Sequence, residues 1–168
     1  TGLVETLPAQ TVPLAEAATR VLAQPVEAKR NQPPFPSSSM DGYAMIAAEV
    51  ERHAMFKIIG EAAAGRRFEG RVGPGQAVRI FTGAPVPDGA DFVVIQEDTD
   101  RTGALLTITD EPGTKDNIRR EGGDFAVGAR IDPPLRLRPE DVALLAAMNI
   151  SSIPVARKPI VALISTGD

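Results

Sequence analysis

Four side chains with chemical potential, Asp41, Thr82, Arg119 and Asp124, stand where glycine and proline interrupt the chain. Asp41 lies in Ser39-Met40-Asp41-Gly42-Tyr43-Ala44, directly after Pro33-Pro34-Phe35-Pro36-Ser37-Ser38. Proline fixes φ upstream of the carboxylate, and Gly42 permits a sharp bend or the close approach of a ligand. A site is built this way, and so is a plain Asp-Gly turn. Thr82 opens Thr82-Gly83-Ala84-Pro85-Val86-Pro87-Asp88-Gly89-Ala90, where its hydroxyl either serves an oxyanion or closes its own local turn. Asn117-Ile118-Arg119-Arg120-Glu121-Gly122-Gly123-Asp124 joins two guanidinium groups to a diglycine and a carboxylate. Arginine binds planar oxyanions, and adjacent glycines let backbone N–H groups approach a ligand; a solvated charged loop has the same composition. Taken together, an aspartate, a threonine and Arg119 suit an oxyanion handled beside a hard cation.

Other chemistries are excluded by composition. The 168 residues contain no cysteine and one histidine, which leaves no disulfide framework, no thiol chemistry and no zinc-type site. His53 has no partner at ligand spacing and reads as a surface residue. No nucleophile elbow or phosphate-loop glycine pattern is present. A net charge of -4, with no basic stripe, argues against nucleic acid as a partner. No apolar run is long enough for a membrane span, so a soluble, cytoplasmic protein is expected.

The elements that must hold these residues are short. Residues 12–23 are expected to form a helix with Pro13 in its first turn and Leu14, Ala18, Val21 and Leu22 on one face. Residues 56–59, 77–81, 92–96 and 104–109 read as strands between turn signals, which predicts a compact β domain. A weak echo between Val72-Gly73-Pro74-Gly75-Gln76-Ala77-Val78-Arg79-Ile80 and Ala126-Val127-Gly128-Ala129-Arg130-Ile131, each a turn followed by a strand, suggests two hairpin edges of one sheet. A second helix is predicted over 139–148, with proline first, acids in its first turn and Asn149 as its stop. Residues 159–164 resemble a strand buried on both faces and lead into Ser165-Thr166-Gly167-Asp168. Such strands belong to parallel sheets, so the chain is expected to be the front part of a longer protein, cut as an α/β domain begins.

Ser-Ser-Met-Asp-Gly-Tyr-Ala, Arg-Ile-Phe-Thr-Gly-Ala-Pro-Val-Pro-Asp-Gly-Ala-Asp, Val-Ile-Gln-Glu, Asn-Ile-Arg-Arg and Ser-Thr-Gly-Asp occur in that order. In this series the whole chain resembles the molybdopterin molybdenumtransferase family, MoeA and the gephyrin E region. The resemblance implies insertion of molybdenum from molybdate into adenylylated molybdopterin, with release of AMP, in a Mg²⁺-dependent step of molybdenum cofactor synthesis. It implies a homodimer, with the molybdopterin adenylyltransferase as a further partner, and a cleft shared between subunits. The gephyrin branch offers the alternative of a scaffold that binds a receptor peptide, and tungsten insertion is a further alternative. Residue by residue, it implies catalytic roles for Asp41, Thr82 and Asp124 and substrate binding by Arg119, with Asp41 and Asp124 positioning a hydrated Mg²⁺ or a water. Many relatives read Gly-Glu-Asp where this chain has Gly122-Gly123-Asp124, so one expected carboxylate is missing. The implied fold is mainly β with flanking helices (α+β): a linker domain from 1–41 and 131–157, an irregular β domain over 42–130, and the first strand of a molybdopterin-binding α/β domain over 158–168. The front part alone is expected to be inactive.

Overall fold

A computed structural model describes residues 7–166, which form β-sheets, three short 3-10 turns and one α-helix. The chain divides into two compact units, Gln32–Asp124 and a unit made of Thr1–Asn31 with Phe125–Asp168. The sequence placed the corresponding junctions near residues 41 and 130.

In the discontinuous unit a four-stranded sheet runs in the order Ala9–Pro13, Ser152–Ala156, Val21–Leu22, Leu135–Arg136, with every pairing antiparallel. Its inward residues Val12, Leu22, Ile153 and Val155 pack with Leu14, Ala17, Leu137, Leu145 and Met148 into one core. The helix expected over 139–148 is present as Pro139–Ala147. Proline opens it, and Asp141 accepts a hydrogen bond from the Arg138 backbone N–H at 2.8 Å, satisfying a donor the helix leaves orphaned. Asn149 ends it in the left-handed region at φ 62°.

Two expectations fail in this unit. Residues 12–23 are not a helix: Val12 pairs with Ile153 at the end of a strand, a 3-10 turn covers Leu14–Glu16, and Val21–Leu22 is again strand. Thr19 at φ 67° would interrupt any helix there, and cross-strand pairing outweighs the modest helical propensity of the alanines. Residues 159–166 are not strand, and Ile160 and Leu163 are 89% and 93% exposed. A strand buried on both faces needs a neighbour on each side, and no described strand pairs with this run. Gly167 and Asp168 lie outside the described residues. The sequence echo also dissolves, because Gln76–Ile80 and Arg130–Ile131 sit in different sheets.

The other unit carries a six-stranded sheet in the order Phe92–Ile95, Gly42–Met45, Gln76–Ile80, Met55–Ala62, Leu105–Ile108, Thr99–Thr102. All four strands read from the sequence are present in it. The pair Met55–Ala62 and Gln76–Ile80 is parallel, with an irregularity between Ile58 and Gly60. Val, Ile, Leu and Ala fill two clusters, one around Tyr43, Met45, Phe56, Leu106 and Ile108, the other around Ala44, Val72, Val78, Ile80 and Val93. Asp41-Gly42 is not a hairpin turn. Gly42 starts an interior strand, and a Cβ at that position would be driven into the backbone carbonyl oxygen of Val94. Backbone cannot yield as a flexible side chain does, so Gly42→Ala is expected to lower stability by about 1–3 kcal/mol or more. Urea unfolding checks this against Gly113→Ala, whose Cβ meets open space and whose unfolding midpoint should stay near that of the parent.

Candidate functional site

A two-residue strand, Ser37–Ser38, is what gathers the candidate residues. Successive backbone groups of an extended chain point in opposite directions. Ser38 uses both of its own on the Thr82 loop: its N–H donates to the Ala84 carbonyl at 3.0 Å, and its carbonyl accepts from the Gly83 N–H at 2.8 Å. Its neighbours turn the other way. Ser37 and Ser38 pair antiparallel with Arg119 and Ile118, and the Ser39 N–H donates to the Asn117 carbonyl at 2.9 Å. Three segments far apart in sequence are thereby sewn side by side. Ser37 and Ser38 are buried, and the Ser38 hydroxyl donates to the Met40 carbonyl at 2.6 Å, closing the chain into Asp41.

Asp41 and Thr82 meet directly. Asp41 Oδ1 accepts the Thr82 backbone N–H at 2.8 Å and the Thr82 hydroxyl at 2.7 Å. The Thr82 hydroxyl therefore serves neither a turn of its own nor a free oxyanion in this state; it holds a carboxylate. The two Thr82 hydrogen bonds, backbone first, with the nearby Arg79 charge, hold the Asp41 carboxyl below the ordinary aspartate value, so it is ionised at neutral pH. The Asp41 carbonyl accepts from the Gln96 N–H at 3.0 Å, which fixes the backbone beneath the side chain.

Arg119 and Asp124 form the second pair. One guanidinium nitrogen, Nη2, sits astride both carboxylate oxygens at 2.8 and 2.7 Å, and both side chains are about half exposed, at 51% and 47%. Arg120 turns to Asp116 at 2.5 Å. The diglycine offers no anion nest: the Gly122, Gly123 and Asp124 N–H groups donate to the carbonyls of Pro33, Arg120 and Gln32. Those three bonds shape the loop that presents Arg119. Among the described residues no hydrogen bond or ion pair links the Asp41–Thr82 pair to the Arg119–Asp124 pair. His53 is exposed in a turn, as read from the sequence. A cavity of about 410 Å³ lined by Phe35, Pro36, Arg67 and the 85–90 loop contains none of the four residues.

Mg²⁺ is held by one or two carboxylates together with substrate phosphates. Asp41 fits that role as a single ligand, because both of its hydrogen bonds end on Oδ1 and Oδ2 is left as a hard, ionised donor. Asp124 fits poorly, with both oxygens on Arg119. No group of three or more His, Cys, Asp or Glu among the described residues forms a metal cage.

Sequence reasoning missed Arg79 and Gln96. The Arg79 guanidinium lies 5.2 Å from the Tyr43 ring centre and 4.5 Å from that of Phe81, and it donates to the Gly42 carbonyl and to Gln96 Oε1. A charge between the buried Val78 and Ile80 was the available signal.

Asp41 has a folded pKa depressed by its donors, so its contribution to stability is full above the unfolded-state pKa and disappears as pH falls through the lower folded value. Thr82→Val removes one donor and should move the Asp41 midpoint upward, toward the ordinary value, in a carboxyl ¹³C NMR titration. An Asp41 midpoint that is ordinary in the parent and unmoved in the variant would contradict this geometry.

Residues 2–149 match the family described as the MoeA N-terminal region (domain I and II). The chain is 34% identical over 157 residues to a molybdopterin molybdenumtransferase of Haemophilus influenzae, covering 92% of this chain and 39% of that protein. It is 36% identical over 166 residues to the protein of the same name from Bacillus subtilis, covering 93% and 39%. The crystal structure of a molybdopterin biosynthesis MoeA protein from Pyrococcus horikoshii superposes with a TM-score of 0.82 at 33% identity, over 90% of this chain and 41% of that one. The chain thus spans about two fifths of the length of these relatives, 39% in both curated cases. By the match over residues 2–149 and by its fold, the chain belongs to the MoeA N-terminal region family.

Proposed function

We propose that this chain is the N-terminal part of a molybdopterin molybdenumtransferase, which inserts molybdenum from molybdate into adenylylated molybdopterin and releases AMP. The observation that supports this most is the Asp41–Thr82 clamp: two residues from separate family motifs converge, through Ser38, on one ionised carboxylate. Asp41 Oδ2 holds a hydrated Mg²⁺ or orients the water at the adenylyl phosphoanhydride, while Thr82 keeps Oδ1 occupied and the carboxyl ionised. Thr82 yields its hydroxyl to an oxyanion only by releasing Asp41. Arg119 offsets the charge of phosphate or molybdate by exchanging Asp124 for the substrate oxyanion, a swap that half-exposed partners make at little cost. Asp124 thereby holds the guanidinium in place between turnovers. Mg²⁺, held by Asp41, would supply neutralisation of the phosphate oxygens.

The full protein acts in the cytoplasm as a homodimer whose cleft is completed by a domain beyond this chain. Family membership supports that view, and the 39% coverage of relatives supports the further domain.

Asp41→Ala in the full-length protein should lower AMP release from adenylylated molybdopterin and molybdate by about 100-fold, the scale on which loss of a positioning or charge-stabilising group is felt. Unchanged turnover would remove Asp41 from the mechanism. The 168 residues by themselves should release no AMP above background in the same assay.

A further inference from the structure

Arg79 belongs to no motif pair described above, yet more constraints converge on it than on any of the four candidate residues. It lies in the interior strand Gln76–Ile80, opposite Tyr43 in register. Tyr43 and Phe81 flank its guanidinium, with ring centres at 5.2 and 4.5 Å. Nη1 donates to the Gly42 carbonyl at 3.0 Å and Nη2 to Gln96 Oε1 at 2.6 Å. Gln96 in turn donates its backbone N–H to the Asp41 carbonyl at 3.0 Å. The guanidinium thus closes a ring, Arg79 to Gly42, along the backbone to Asp41, across to Gln96 and back. Phe81, the residue before Thr82, forms one wall of the same grip. Both partners of the clamp are therefore tied to a single planar cation.

We propose that Arg79 is a positioning residue for Asp41: its fork, held between Tyr43 and Phe81, fixes the Gly42 carbonyl and Gln96 so that Asp41 Oδ1 meets the Thr82 N–H and hydroxyl. Its importance to turnover rests on the function proposed above; its effect on the clamp does not. A planar fork is required because two acceptors and two ring faces must be satisfied together. Lysine carries the same charge but cannot reproduce that geometry.

The test separates geometry from charge. In the full chain, carrying ¹³C-carboxyl aspartate with Asp41→Asn to assign the signal, the Asp41 midpoint and the Thr82 amide proton shift are followed in the parent, Arg79→Lys, Arg79→Met and Gln96→Leu. Positioning predicts that Arg79→Lys, with its charge kept, still raises the Asp41 midpoint and moves the Thr82 amide upfield. Arg79→Met, which loses the charge as well as the fork, moves both signals further in the same directions. Gln96→Leu, which changes no charge and leaves the Arg79 stacking intact, should move both signals in the same direction and keeps the proposal testable where an Arg79 variant fails to fold. Parent-like signals in Arg79→Lys and Gln96→Leu would overturn it, leaving Arg79 as a distant charge only. In the full-length enzyme, Arg79→Met should lower kcat by about 10- to 100-fold with KM little changed, and Arg79→Lys should rescue part of that loss. Moved signals with unchanged turnover would uphold the positioning and count against the proposed chemistry instead.

Discussion

The alternating backbone bonds of Ser37, Ser38 and Ser39 are the constraint on which the candidate site depends. A two-residue strand has little to hold it by itself. Here Ser38 turns one way to the Thr82 loop, while on the other side Ser37 pairs with Arg119 and the Ser39 N–H donates to the Asn117 carbonyl. A one-residue slip would reverse both sets of bonds and aim the wrong groups at each neighbour. The prolines upstream limit the conformations available to that segment, and Gly42, pressed against the Val94 carbonyl, anchors its far end in the six-stranded sheet. Asp41 sits between these two anchors, so the position of its carboxylate is set by backbone rather than by side-chain preference.

From that placement the electrostatics follow. Two donors from Thr82 on one oxygen, with Arg79 nearby, favour the charged form and leave the second oxygen for a ligand. Arg119 is kept in a different way, by a half-exposed carboxylate that adds little stability and can be exchanged. The Ser37–Ser38 strand thus has a tightly held carboxylate on the Thr82 side and a loosely held cation on the Arg119 side.

Much of this was legible in the sequence, unevenly. The helix at Pro139–Ala147 announced itself by its proline, its first-turn acids and Asn149, because those signals act within one turn. Four strands of the six-stranded sheet were readable from β-branched runs between glycines. Residues 12–23 misled because their alanines favour helix locally, while a strand far along the chain, Ser152–Ala156, captures Val12. Residues 159–164 form no strand here, as befits a run read as pairing only with strands later in the sequence. Asp41, Thr82, Arg119 and Asp124 were visible as residue types at punctuated junctions. That they resolve into two pairs, and that Arg79 and Gln96 brace one of them, depends on register between strands, which no local pattern encodes.

The proposed site needs the Asp41–Thr82 and Arg119–Asp124 pairs to work as two parts of one whole, joined by the Ser37–Ser38 strand. The most direct test is a double-mutant cycle, with Asp41→Asn and Arg119→Met made singly and together in the full-length enzyme and AMP release measured for each. Residues that act as a unit are strongly non-additive, so the double variant should lose little more activity than the worse single one. Losses that simply multiply would show two independent positions and contradict the account.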